Sequence, residues 1–187
     1  MKLRLLAVDI LIGYEVVAGL TAALLLDRQG RVGACLLAAV LHELGHLLVM
    51  RLCRCRVRRI TVRLFDVMIE ADDAGSVLHD GLITAGGAAA NLVCAMLFCM
   101  ISRPLMLANL VVGCFNLLPV ETLDGGRLLM LLLCRRVSYV TATSVIRVLT
   151  FVFLLPLFTL GIYTLLHTRY NYSLLAISLY LLAFLFR

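Results

Sequence analysis

The stretch Leu41-His42-Glu43-Leu44-Gly45-His46-Leu47-Leu48 lies inside the apolar run 32–52, and its reading decides the rest of the chain. Residues four apart share one helix face, so the imidazoles of His42 and His46 can reach one metal ion while Glu43 meets the attacking water. Hydrogen-bonded core histidines are the plain alternative. Three such groups in five residues of an apolar span are costly in lipid, however, and this makes function the default reading. Catalytic zinc takes three protein ligands and an open position for water, so a third ligand is needed.

Outward from that stretch the chain is apolar throughout. It is 63% hydrophobic and has no tryptophan, well above the roughly half-apolar content of a soluble domain. At about 20 residues per spanning helix, six spans would leave only short loops. Apolar run lengths place spans near 6–26, 32–52, 81–101, 105–133, 144–166 and 172–186, and residues 1–187 form one membrane-embedded core with no second domain. Asp9 and Glu15 lie inside the first run, which continues to Leu26. This argues for a retained span rather than a cleaved signal peptide.

Between the second and third spans the pattern changes. Ile60, Val62 and Leu64 alternate with Thr61 and Arg63, and Val67 and Ile69 alternate with Met68 and Glu70. That is strand periodicity. The expected fold is an all-α polytopic membrane protein of about six transmembrane helices with a short interfacial β-hairpin after the second, reversing at Phe65-Asp66. An edge of that hairpin is suited to hold an extended peptide by strand addition.

The net charge is +6, and six arginines fall between Arg51 and Arg63. Lys2, Arg4, that cluster, Arg127, Arg135, Arg136 and Arg187 fall on one side of alternating spans, against Arg28, Arg31, Arg103 and Arg169 on the other. The excess puts the N-terminus in the cytoplasm and the arginine cluster at the lipid surface. No basic stripe with interleaved aromatics is present, so no nucleic-acid partner is expected. The seven cysteines sit mostly in apolar runs without paired spacing, and Cys53-x-Cys55 alone is too little for a metal site.

The fourth span carries Asn116-Leu-Leu-Pro119 and Asp124-Gly125-Gly126, a broken helix that suits membrane depth only where it is buried or lines a wet cavity. The acids available as third ligand are Asp9, Glu15, Glu121 and Asp124. Asp124 is preferred, because the glycines beside it allow close backbone approach, and Glu121 is held in reserve.

His42-Glu-Leu-Gly-His46 together with Asn116-Leu-Leu-Pro-Val-Glu-Thr-Leu-Asp124-Gly-Gly-Arg127 resembles the site-2 protease family of intramembrane metalloproteases, in particular its stage IV sporulation protein FB branch. The resemblance implies one zinc per chain held by His42, His46 and Asp124, with Glu43 as the catalytic carboxylate. It further implies that Asn116 positions substrate, and that Gly87 and Asn91, within Gly86-Gly87-Ala-Ala-Ala-Asn91, lie close to the site and help to position substrate. Those glycines equally suit helix packing through small residues. Thr122 stands where the family usually has proline, and Ala88 follows Gly87 where relatives often have proline. No nucleotide-sensing or PDZ domain is expected. The implied setting is a bacterial cytoplasmic membrane. The implied partners are a membrane-associated protein substrate such as a sporulation sigma-factor precursor, the lipid bilayer and transmembrane regulatory proteins. The rival reading is a membrane metal transporter or metal-binding protein, in which the same groups form a transit path.

Overall fold

The computed structural model describes residues 2–5, 8–27, 31–63, 67–72, 75–169 and 173–185. Its chain order is β1 (Lys2–Leu5), β2 (Val8–Ile12), α1 (Tyr14–Leu26), α2 (Arg31–Leu52), β3 (Val57–Val62), β4 (Val67–Ala71), α3 (Val77–Phe98), α4 (Arg103–Asn116), α5 (Asp124–Leu133), α6 (Tyr139–Thr168) and α7 (Ser173–Leu185). The chain forms two compact units, Met1–Cys114 and Phe115–Arg187.

In the first unit the expected antiparallel hairpin after α2 is present as β3 and β4, and it forms part of a four-stranded sheet in the order β1-β2-β3-β4, so the fold is not all-α. β1 pairs antiparallel with β2, β2 parallel with β3, and β3 antiparallel with β4. The expected first span, 6–26, is therefore two elements: β2 holds its first part and α1 the rest. Alternating β-branched Val8, Ile10 and Ile12 favour a strand, and Gly13 ends it, its N–H donating to the Val62 carbonyl at 3.3 Å. Asp9 stands opposite Arg59, and Arg59 opposite Glu70, a row of alternating charge across three strands in which opposite-sign neighbours attract. The Arg59–Glu70 pair closes to 3.6 Å, and Arg58 pairs with Asp72. β3 is flanked on both sides, so the outer edge of the hairpin belongs to β4. The expected reversal at Phe65-Asp66 lies outside the described residues.

Because β2 and β3 share one sheet, the excursion through α1 and α2 leaves that sheet and returns to it. The Asp27 carboxylate, just after α1, accepts the Val32 N–H of α2 at 2.7 Å. α2 then packs closely on α3. A Cβ on Gly45 would fall 2.4 Å from the Gly86 carbonyl oxygen, and one on Gly86 would fall 2.9 Å from the Gly45 carbonyl oxygen. Only glycine at both positions permits this crossing. Ala34 and Ala38 of α2 form a small core with Ala108 of α4, backed by Leu105 and Val112.

In the second unit the expected break of the fourth span is seen: α4 ends at Asn116, a turn follows, and α5 starts at Asp124. Pro119 cannot continue a helix. The turn folds tightly against the start of α5, where a Cβ on Gly125 would lie 2.2 Å from the Leu117 carbonyl oxygen and one on Gly126 2.0 Å from that of Val120. The close approach those glycines allow is thus to the preceding turn. Val120 is fully buried, and Thr150 of α6 accepts the Glu121 N–H at 2.9 Å. Gly161 of α6 seats the backbone of Leu175 in α7. Among the described residues three helices, α2, α3 and α6, are long and apolar enough to cross a membrane. The 13 residues of α1 and of α7 reach only about 20 Å at 1.5 Å per residue.

Candidate metal centre

Both histidines emerge from the middle of α2, where Gly45 lets α3 come close enough for its groups to touch them. His46 Nδ1 lies 2.7 Å from the Ile83 carbonyl oxygen of α3. A carbonyl only accepts, so Nδ1 carries a proton and Nε2 is the nitrogen placed to ligate a metal. His42 Nδ1 lies 2.7 Å from Asn91 Oδ1. Asn91 Nδ2 donates to the Ala38 carbonyl at 2.8 Å and to Asn109 Oδ1 at 2.9 Å. With the amide nitrogen so placed, the oxygen faces His42, and His42 Nδ1 donates too. Both rings therefore anchor through Nδ1 and turn Nε2 towards a common point.

Those two Nε2 atoms stand 3.1 Å apart, the rings nearly perpendicular at 82°. Two nitrogens on one tetrahedral zinc, each bound at about 2.0–2.1 Å, would stand roughly 3.3 Å apart, so the observed spacing fits that ion. Each histidine has its Nδ1 tied to an oxygen, an arrangement that suits a zinc-binding imidazole. Room beside them comes from Gly87, where a Cβ would lie 2.3 Å from His46 Nε2 and 2.7 Å from His42 Nε2.

The first unit thus brings together His42, His46, Gly87 and Asn91, with half-buried Glu43 on the same helix beside His42. Asn91 is fully buried, and its amide is engaged with His42, Ala38 and Asn109. Of the acids considered as third ligand, Asp9 belongs to the sheet opposite Arg59, and Glu15 and Glu121 are exposed. In the second unit Asp124 opens α5, half-buried with Oδ2 shielded from solvent, where the helix N-terminus favours a negative charge. Asn116 is the last residue of α4. Two groups escaped the reading of the motifs, Asn109 and Thr150. Asn109 was nevertheless visible as a second asparagine in an apolar run, which membrane depth disfavours unless it is paired.

Residues 102–159, which contain Asn116, Pro119 and Asp124 but not the two histidines, match the family model described as Peptidase family M50. The fold is similar to that of the Site-2 Protease from Methanocaldococcus jannaschii, with a TM-score of 0.72 at 19% identity over 97% of this chain and 91% of that one. No curated protein matches the sequence significantly.

Proposed function

We propose that this chain is an intramembrane zinc endopeptidase of the site-2 protease type. The observation that carries the reading is the pair of imidazoles four residues apart whose Nε2 atoms stand 3.1 Å from each other beside Gly87. The Peptidase family M50 match over 102–159 and the shared fold support the same class. In this reading His42, His46 and Asp124 hold one zinc per chain. Zinc supplies Lewis acidity, which brings the pKa of water down to near 7. Glu43 takes a proton from the attacking water and returns it to the departing amine. Asn116 directs its amide at the scissile carbonyl, where a donor stabilises developing negative charge.

The spans in this proposal are α2, α3 and α6, with α1, the α4–α5 pair and α7 as the remaining passages. The shared sheet of β2 and β3 supports an even number of crossings between them, so α1 and α2 go out and back. The sheet and its arginines then lie on the N-terminal side, in the cytoplasm by the positive-inside rule. The substrate is a membrane-associated precursor cut near that face, and the motif resemblance favours a sporulation sigma-factor precursor. Reconstitution with a panel of single-span substrates tests the activity. Cleavage should stop on treatment with a zinc chelator and return on adding zinc, and cleavage indifferent to chelation would refute the proposal.

A further inference from the structure

Asn109 of α4 lies one helix away from His42, yet a chain of hydrogen bonds through Asn91 links it to Nδ1 of that ring. The chain of partners runs in one direction. Asn109 Nδ2 donates to the Leu105 carbonyl at 2.9 Å, and this fixes its own amide with Oδ1 turned towards α3. That oxygen accepts from Asn91 Nδ2 at 2.9 Å, alongside the Ala38 carbonyl at 2.8 Å. Asn91 Oδ1 is then left for His42 Nδ1 at 2.7 Å. Asn91 and Asn109 are both fully buried at 0% exposure, so water cannot substitute for either partner. The gap is tight as well, since a Cβ on Gly113, one turn further along α4, would sit 3.0 Å from the Asn91 Cβ.

If the Asn91 amide flips, its nitrogen faces His42 Nδ1, which must then accept, and the proton moves to Nε2. A protonated Nε2 cannot ligate a metal. In the flipped state Asn91 Oδ1 would oppose both the Ala38 carbonyl and Asn109 Oδ1. Asn109 supplies one of the two acceptors that forbid it.

We infer that Asn109 is a positioning residue for the metal centre, holding His42 in the Nδ1–H form through Asn91. This deepens the zinc reading and rests on it for its consequence, though the tautomer itself is readable without metal. His46 needs no such relay, because the Ile83 backbone carbonyl locks it directly.

The test uses the full chain in detergent, with His79 and His167 changed to Gln so that only His42 and His46 report. The variants are Asn109→Leu, which removes the acceptor, and Asn109→Asp, which keeps an oxygen facing Asn91 and, as the neutral acid, a proton for the Leu105 carbonyl. Outer partners of metal-binding histidines typically change affinity about 10- to 100-fold, and that loss in zinc affinity is expected for Asn109→Leu by chelator competition. In the metal-free chain, ¹⁵N spectra should show an Nε2–H signal for His42 in Asn109→Leu and only the Nδ1–H form in wild type and Asn109→Asp. Asn109→Ala serves if the leucine variant does not fold. An unchanged tautomer in the leucine or alanine variant overturns the proposal, as does equal loss in the aspartate variant. Wild type that binds no zinc but shows the predicted tautomers would instead refute the metalloprotease reading and leave the role of Asn109 standing.

Discussion

Glu43→Gln is expected to lower cleavage by about 10³-fold or more, within or beyond the usual contribution of a positioned acid–base group, while zinc content stays at the wild-type level. Glu43 sits on α2 between the two ring-bearing positions and is half-buried. Neither imidazole lock involves it: those go to Ile83 and Asn91. Glutamine keeps the size and the polarity but cannot take a proton from water. A transporter built on the same histidines would have no specific need of that carboxylate. Parallel measurement of peptide cleavage and bound zinc separates the two, and a glutamine variant that cleaves at the wild-type rate removes Glu43 from the mechanism.

Gly87→Ala is the second large effect expected, and it acts on metal rather than on chemistry. The added methyl would occupy the space beside both Nε2 atoms. The rings cannot turn away without breaking their Nδ1 bonds, and α3 cannot retreat without opening the Gly45–Gly86 crossing. Zinc should fall from about one per chain, as a structural or catalytic site holds it, to near none. Gly81→Ala on the same helix meets nothing within 4 Å and serves as the control for helix formation, so zinc retained in the Gly87 variant would show that the ion lies elsewhere.

Some of this was legible in the sequence and some was not, for identifiable reasons. The spacing of His42 and His46 is a local property of one helix, and the structure presents both rings to one point. The fourth-span break was equally local, written in Pro119 and the glycines at 125 and 126. The N-terminal sheet was missed because residues 5–12 are apolar nearly throughout, and a short continuous apolar run has no period to separate strand from helix. Its partner β3 is some fifty residues away in register, Asp9 with Arg59, a pairing no local pattern announces. Gly86 and Gly87 show the same limit: adjacent in sequence, one seats α2 and the other opens room for the histidines. Asn91 stood out as polar, but that its amide is committed to His42 depends on Asn109, eighteen residues on and on another helix.

The most direct test of the central claim is zinc stoichiometry in detergent-purified wild type, beside His46→Ala and Asp124→Asn, with folding verified in each. About one zinc per chain, lost in both variants, is the expected result. Well-folded wild type without zinc would mean that the two Nε2 atoms share a proton instead, and zinc unaffected by Asp124→Asn would mean that the third ligand is another group.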